Sequence, residues 1–244
     1  MAIVDEIERI KTNIANAYTA LEEKGATLPT ERNSDNLSAV IVEVPTGSGD
    51  VELTNSYMSS IDTTRGANCT KLPDGITSIG DYAFYQCTNL ALTKLPDTVH
   101  YFRQYCFAYC TNLNIHEIGP SPKIKDIVSG VGSYAFQYCK GLTDIKFTEG
   151  VGNIDQNAFD YCTSLTKVDL PSTMKSLSAN VFRNCTSLKT VICRASTPPS
   201  IQSSSFLSTI EEIYVPDDKV TTYKIKTNWS AFSSKIKPLS ELEG

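Results

Sequence analysis

The chain has 244 residues, a sequence pI of about 5.1 and a formal net charge of −5 at neutral pH. This mildly acidic balance excludes the dense clusters of lysine and arginine that bind nucleic acid, so no nucleic-acid partner is expected. The sequence contains no stretch of about 18 apolar residues, so no membrane span is expected.

The first 25 residues predict a helix with one apolar seam. Apolar side chains follow one another in alternating steps of four and three residues, which is the heptad pattern of a coiled coil. The seam residues are Ile3, Ile7, Ile10, Ile14, Ala17 and Leu21. Isoleucine at both core positions favours three or four strands over two, so we predict a homo-oligomer, with a trimer favoured. The alternative is a single helix that packs on the rest of its own chain.

The start of the chain also bears on export. Acidic residues stand within the first ten positions, where a signal peptide would be basic and then apolar. We therefore expect no Sec-dependent export, unless processing has already removed a leader. After the helix, residues 26–46 predict a short helical segment and a linker, and residues 47–70 predict an N-terminal cap for the segment that follows.

A five-residue motif, Ala-Phe-x-x-Cys or a close variant, recurs between residues 71 and 215. Its phenylalanines are 23, 29, 23, 23 and 24 residues apart, and they are Phe84, Phe107, Phe136, Phe159, Phe182 and Phe206. A period of roughly 20 to 29 residues is typical of a leucine-rich-repeat solenoid, in which each coil buries its core only against its neighbours. The one long interval contains the Gly-Pro-Ser-Pro stretch at residues 119–122, which predicts a loop extruded from one coil.

Each unit also contains a short run in which apolar and polar residues alternate, as at residues 165–170. Alternation over about six residues predicts a strand with one buried face. Pro96 and Pro171 end two of these strands, because proline has no backbone N–H to offer to a ladder. We predict an α+β solenoid with coils of about 23 residues, preceded by the coiled-coil helix and closed by a C-terminal cap over residues 216–244.

Five cysteines occupy the same position in successive units, and they are Cys87, Cys110, Cys139, Cys162 and Cys185. In stacked coils they should lie about 5 Å apart, which is the spacing of neighbouring strands. We interpret them as a column of small, buried, reduced thiols. The alternative is a metal site or a disulfide ladder, but this regular spacing lacks the short cysteine pairs of a metal knuckle. We therefore expect no metal and no cofactor.

No arrangement of residues in the sequence indicates catalysis. The sequence has no phosphate-binding glycine loop and no His-Glu-x-x-His motif. The only histidines are His100 and His116, which are too few and too scattered for a triad or a zinc site. We expect that the protein is not an enzyme and that His116 is a solvated side chain.

Charged residues at outward strand positions are expected to be structural. Asp144 and Lys167 fall in one column of the predicted sheet, and Lys146 and Asp169 fall in the next. Opposite charges directly across a strand pair stabilise a sheet by roughly 0.2–1 kcal/mol each. We therefore predict the ion pairs Asp144–Lys167 and Lys146–Asp169.

Tyrosine recurs at two positions of the unit, and stacked coils would align each set into a column. The set two residues before the phenylalanine comprises Tyr82, Tyr105 and Tyr134. The set directly before the cysteine comprises Tyr109, Tyr138 and Tyr161. Two interpretations remain: the columns shield the turns from water, or they form a ligand-binding surface whose flat rings and hydroxyl groups suit sugars or protein loops.

The repeats and the residues that follow them resemble the BspA-type leucine-rich repeat. The resemblance rests on the motif Phe-x-x-Cys-Thr-x-Leu and on residues 195–200, 213–216, 223–224 and 228–230, and it covers roughly residues 70 to 240. Residues 7–41, a short coil followed by a polar segment, are similar to the start of tail or minor structural proteins of phages that infect gut Firmicutes.

These resemblances imply a function. BspA-type proteins are usually exported surface adhesins, whereas the N-terminal resemblance implies a non-enzymatic, fibre-like tail subunit, located in the virion, that attaches to the host surface through the solenoid. Its partners would be other virion tail proteins and a glycan or protein of the host surface. The alternatives are a bacterial cell-surface adhesin or interaction module, and a purely architectural spacer in the virion.

Overall fold

The computed structural model describes residues 52–53, 72, 76–90, 92–119, 129–207 and 209–242. The predicted oligomerisation helix at residues 1–25, the segment at residues 26–46 and nearly all of the predicted N-terminal cap lie outside the described residues. Within the described part of the chain, no helix is long and apolar enough to cross a membrane.

The described residues form thirteen short strands and one short α-helix. In chain order the strands are β1 (Glu52–Leu53), β2 (Ser78–Ile79), β3 (Tyr101–Phe102), β4 (Glu117–Ile118), β5 (Ser129–Val131), β6 (Asp144–Phe147), β7 (Val151–Ile154), β8 (Lys167–Leu170), β9 (Ser176–Leu177), β10 (Thr190–Cys193), β11 (Ser200–Ile201), β12 (Glu212–Val215) and β13 (Ile236–Pro238). The helix α1 spans Val220–Ile225, and 3₁₀ helices cover Asp217–Lys219, Trp229–Lys235 and Leu239–Glu241.

In the described residues these strands make two parallel sheets, and the chain alternates between them as it winds. The seven-stranded sheet has the order β1-β2-β3-β5-β7-β9-β11. The six-stranded sheet has the order β13-β12-β10-β8-β6-β4. Each coil therefore adds one strand to each sheet, and the whole is a β-solenoid of leucine-rich-repeat type, as the sequence predicts.

A single column of phenylalanine rings fills the interior between the sheets and the turns. Consecutive ring centroids along the column lie 5.0–5.6 Å apart. Its six members are at most 5% exposed, and they are Phe84, Phe107, Phe136, Phe159, Phe182 and Phe206. Full burial of such a side chain stabilises the fold by about 1.5–3 kcal/mol, so the column provides a continuous core that no coil could form alone.

A strand of the six-stranded sheet follows the core turn of each unit except the first, in which residues 92–95 form no strand. The predicted alternation is confirmed in β6, where Ile145 and Phe147 are buried while the residues that precede each of them are exposed. It is wrong for β8, β10 and β12, in which the last three residues are all buried. The seven-stranded sheet is not predicted by the sequence analysis. Most of its strands are only two or three residues long, and so short a strand shows no detectable alternation.

The C-terminal end of the core is covered by α1 and the 3₁₀ helix that follows it. Trp229 is fully buried, donates its indole N–H to the Pro199 carbonyl at 2.8 Å, and lies 5.9 Å from the Phe206 ring. Phe232 meets the same phenylalanine edge-on at 6.1 Å. β13 then pairs with β12, so the six-stranded sheet extends beyond the last repeat.

The two ion pairs predicted on the outer face of the six-stranded sheet are wrong, although the register is as expected: Asp144 lies opposite Lys167, and Lys146 lies opposite Asp169. Asp169 is nearly buried and accepts two hydrogen bonds, each 2.9 Å long, from Arg194. The planar guanidinium fork of arginine matches a carboxylate with two parallel bonds, which a lysine ammonium cannot do. Asp169 is therefore held by an arginine just beyond the neighbouring strand.

Asp144 and Lys146 pair instead with His116, which precedes β4, and with Glu117 in β4. His116 is half-exposed, and its Nδ1 lies 3.0 Å from Asp144 Oδ1, so this histidine is not simply solvated as expected. Lys146 pairs with Glu117 at 3.3 Å. All four side chains are more than half-exposed, so each contact contributes no more than about 1 kcal/mol.

Candidate functional site

Each coil leaves the seven-stranded sheet through a turn centred on the core phenylalanine. In the coil of Phe84, the backbone N–H groups of Tyr82, Phe84 and Gln86 donate to carbonyls of the next coil at 2.7–3.0 Å. The intervening N–H groups donate to the residue three positions earlier, as in successive tight turns. The turns therefore form a third ladder of hydrogen bonds along the solenoid, and they hold the side chains of successive coils in register.

Two residues of each of the five turns centred on Phe84, Phe107, Phe136, Phe159 and Phe182 have a left-handed backbone, with φ between 54° and 64°. They stand two positions before and two positions after the phenylalanine, and they are Tyr82, Gln86, Tyr105, Tyr109, Tyr134, Tyr138, Asn157, Tyr161, Asn180 and Asn184. This is the third residue of a four-residue turn, where a type II turn requires a positive φ. All six tyrosines predicted from the sequence as ligand-binding residues have this conformation.

Together with Tyr85, these six tyrosines form one aromatic surface, which we call the tyrosine face. Parallel rings stack with centroids 4.9 and 4.7 Å apart in the column of Tyr82, Tyr105 and Tyr134. The spacing is 4.6 and 4.5 Å in the column of Tyr109, Tyr138 and Tyr161. Tyr82 is 40% exposed and the other six rings are half-buried, so the columns present their edges to solvent.

Tyr85 joins the two columns and is the member that the sequence analysis missed. Its ring meets Tyr82, Tyr105 and Tyr109 edge-on, with centroids 5.5, 6.3 and 5.6 Å apart. Tyrosine occurs at this position of the unit only once, so repetition gives no signal for it. Tyr85 could have been found from its position in the turn, because it lies between the two turn positions that hold tyrosine in the next coil.

Tyrosine is an unfavourable choice for a left-handed turn position. A residue with a Cβ atom in this conformation costs roughly 1–2 kcal/mol, and asparagine is among the few side chains that tolerate it. Asn157, Asn180 and Asn184 occupy the same positions in the later coils. Ring stacking stabilises the fold by roughly 0.5–1.5 kcal/mol per pair. This gain is similar in size to the cost of the left-handed backbone, so stability does not favour tyrosine over asparagine at these positions.

Two phenol groups of the tyrosine face, those of Tyr105 and Tyr138, have a raised pKa. Partial burial, and then the neighbouring Tyr134, raise the pKa of Tyr105. Desolvation, followed by Tyr161 and Tyr109, raises the pKa of Tyr138. These two side chains therefore present neutral hydroxyl groups that can donate or accept a hydrogen bond next to an apolar ring.

A buried carboxylate anchors the end of the tyrosine face. Asp160 is completely buried and accepts a hydrogen bond of 3.1 Å from Arg183 Nε and another of 2.6 Å from its Nη2. The amides of Gln137, Asn157 and Asn184 donate to it at 3.1–3.4 Å. This cluster joins three consecutive turns, at the end of the tyrosine face.

The cysteine column lies directly beneath the tyrosine face. All seven cysteines in the described residues are buried, and none of them forms a disulfide. The thiols of Cys110, Cys139, Cys162 and Cys185 donate at 2.9–3.1 Å to the carbonyl of the core phenylalanine in the preceding coil. Burial raises the pKa of the Cys139 and Cys162 thiols well above the ordinary value, so they are neutral hydrogen-bond donors rather than nucleophiles.

Other candidate groups do not assemble into a site. His100 is buried, with its Nδ1 2.8 Å from the Thr98 carbonyl oxygen, and it lies in a different coil from His116. Among the residues that the structure describes, no group of three or more histidine, cysteine, aspartate or glutamate side chains could hold a metal ion. The tyrosine face is therefore the main candidate, and the sequence-predicted oligomerisation residues lie outside the described part of the chain.

Comparison with known proteins identifies the repeat. A family model described as the BspA type leucine-rich repeat region matches in six copies, over residues 53–127 and 120–237. A leucine-rich repeat protein from Bacteroides ovatus is 27% identical, with a TM-score of 0.43, and the match covers 62% of this chain and 39% of that one. A leucine rich cell surface protein from Faecalibacterium prausnitzii is 20% identical, with a TM-score of 0.27, and the match covers 70% and 60%.

The chain therefore spans less than two thirds of the length of either solved structure. A search of curated proteins finds no match to it.

Proposed function

Because the chain belongs to the family of BspA-type leucine-rich-repeat proteins, we propose that it is a non-enzymatic attachment protein that binds a glycan or protein of a cell surface through its tyrosine face. The observation that carries this proposal is the choice of residue at the left-handed turn positions. The earlier coils hold tyrosine at six of these positions, where asparagine makes the same turn in the later coils. What tyrosine adds is a half-exposed aromatic surface.

The chemistry of this surface suits recognition. Each ring offers a large contact area with few rotatable bonds, so little side-chain entropy is lost when a partner binds. The stacking and the third hydrogen-bond ladder hold the rings in place before binding. A partner with flat apolar patches beside hydroxyl or amide groups would satisfy both the ring faces and the neutral phenols. Glycans and protein loops have this character.

The location of the attachment protein is a separate part of the proposal. Residues 7–41, which resemble phage tail proteins, support a fibre-like subunit of a virion tail that attaches to the host surface. A bacterial cell-surface adhesin is the competing location, and mass spectrometry of purified virions and of cell envelopes separates the two. An architectural spacer with no ligand is the third candidate, and it predicts no binding of the full chain to host cells.

Multivalency would give this protein its working affinity. We propose that the seam at residues 1–25 joins three chains, so that weak individual contacts act together. Sedimentation of the full chain should give a trimer, and sedimentation of a truncated chain beginning at Gly47 should give a monomer. A monomer in both cases would show that residues 1–25 do not join the chains.

The tyrosine face is tested by a triple substitution, Tyr109→Asn with Tyr138→Asn and Tyr161→Asn, in the full chain. Asparagine accepts the left-handed turn, so the circular dichroism spectrum should not change. Binding of the labelled protein to intact candidate host cells should fall at least tenfold. A matched control, Lys167→Asn with Thr190→Asn on the outer face of the six-stranded sheet, should bind like the wild type. Undiminished binding by the folded triple variant would discard this surface.

A further inference from the structure

A second concave site lies on the outer face of the seven-stranded sheet, and we call it the glycine trench. Its floor is Gly130 in β5 and Gly132, which follows that strand. In the sheet register, Gly130 lies between Tyr101 of β3 and Asn153 of β7. Two residues further along each strand stand Arg103 and Asp155, which also line the trench. It is an open groove with a volume of about 700 Å³, within the usual range of small-ligand sites, roughly 300–1,000 Å³.

The two glycines are present for different reasons. A Cβ atom at Gly132 would approach the backbone oxygen of Phe102 to 2.7 Å, so packing alone requires glycine there. A Cβ atom at Gly130 would meet only the Asn153 carbonyl oxygen, at an ordinary 3.5 Å, and the φ angle of Gly130 is not left-handed. Glycine inside a strand costs roughly 0.5–1 kcal/mol relative to alanine. The register of β5 with β7 shifts between Ser129 and Gly130, and glycine is common at such a bulge. The lack of a side chain at Gly130 also leaves the floor of the trench open.

The walls of the trench carry complementary polar groups. On one side, Tyr101 is 37% exposed and the Arg103 guanidinium carbon lies 5.7 Å from the centre of its ring. On the other side lie the Asp155 carboxylate and the Asn153 amide, whose Oδ1 accepts a 2.8 Å hydrogen bond from Ser176. Asp155 is exposed, and the partial burial of its carboxyl raises the pKa of that group. The walls stand two strand spacings apart, about 10 Å.

We infer that the glycine trench binds a short neutral oligosaccharide, independently of the tyrosine face. Arg103 and Asp155 carry opposite charges on opposite walls, so the trench favours a ligand without net charge that both donates and accepts hydrogen bonds. Sugar hydroxyl groups do both. The exposed ring of Tyr101 offers an apolar face to the C–H side of a pyranose, and the glycine floor lets the sugar approach the backbone.

Fluorescently labelled full chain on an array of neutral and charged glycans tests this inference. The wild type should retain neutral glycans, and Gly130→Val, which fills the trench, should reduce that signal at least tenfold. Ser200→Val lies on the same sheet two strands beyond Asn153, outside the trench lining, and should leave the signal unchanged. If Gly130→Val does not fold, Asp155→Asn preserves the shape of the trench and should weaken the signal severalfold.

Three results would overturn the inference: no neutral glycan retained by the wild type, equal retention by the wild type and a folded Gly130→Val variant, or retention of anionic glycans only. The triple asparagine variant of the tyrosine face should keep its signal on the array, because the trench is intact in it. The array therefore separates failure of the trench from failure of the tyrosine face.

Discussion

Buried thiols and exposed phenols share the same turns, and their acid–base behaviour follows from their surroundings. Burial raises the pKa of Cys106, Cys110, Cys139 and Cys162 well above the ordinary value of 9.0. Burial also raises the pKa of Cys193 to about 11. Each group is protonated in the folded chain up to a higher pH than in the unfolded chain. Their contribution to stability is therefore complete below about pH 9 and is lost as the pH rises above it.

We predict that the free energy of unfolding falls as the pH rises from 9 to 11, the interval between the ordinary thiol pKa and that of Cys193. Each buried thiol contributes a slope of up to about 1.4 kcal/mol per pH unit. Urea denaturation across this interval measures the effect. Cys139→Ala should give a shallower slope than the wild type, even though its stability at pH 7 is lower. An identical slope in the two proteins would show that the thiols do not titrate in this way.

Among the turns, the ion pair between Asp160 and Arg183 joins one buried side chain to one that is partly exposed. Arg183 is 46% exposed at its side chain, whereas the Asp160 side chain is completely buried. The substitution Arg183→Met removes the cation and leaves the buried Asp160 carboxylate without it. We expect this change to lower the free energy of unfolding by about 3–5 kcal/mol. Removing the charge as well, with Asp160→Asn added, should recover part of that loss. Urea denaturation of the three proteins measures both quantities, and a double variant less stable than Arg183→Met would contradict the prediction.

The repeat positions could be predicted from the sequence because the core phenylalanines and cysteines recur at a nearly constant step. Once coils are stacked, the alignment of Tyr109, Tyr138 and Tyr161 follows from that step alone. The left-handed backbone of these residues could not be predicted, since tyrosine has no preference for it and the conformation comes from the hydrogen bonds between turns. Asn157, Asn180 and Asn184, at matching positions, are the local signal, because asparagine tolerates this conformation.

The ion pairs could not be predicted from strand register, because the partner of Asp169 comes from outside the strands. Register places Lys146 opposite Asp169, yet Arg194 reaches the carboxylate from the residue after β10. The glycine trench could not be predicted from the sequence either, because it lies on the seven-stranded sheet, which the sequence analysis does not predict. Its strands are set by the stacking of the coils rather than by any pattern within two or three residues.

Along the solenoid, the chain presents two surfaces of different character. The tyrosine face runs over the turns of the earlier coils, and the glycine trench lies on the adjoining sheet. Gln104 and Ser133, which line the trench, directly precede Tyr105 and Tyr134 of the tyrosine face. A cell surface that carries both glycans and proteins could engage the two surfaces at once, and three joined chains would multiply the effect.

The central claim is that the tyrosine face is the surface that contacts the host, and hydroxyl-radical footprinting of the full chain tests it directly. Oxidation of each side chain is measured by mass spectrometry, free in solution and bound to intact host cells. We predict that oxidation of Tyr109, Tyr138 and Tyr161 falls severalfold on binding. Oxidation of Ile225, which is 77% exposed on α1, should not change. Protection of Ile225 with unchanged oxidation of the three tyrosines would contradict it.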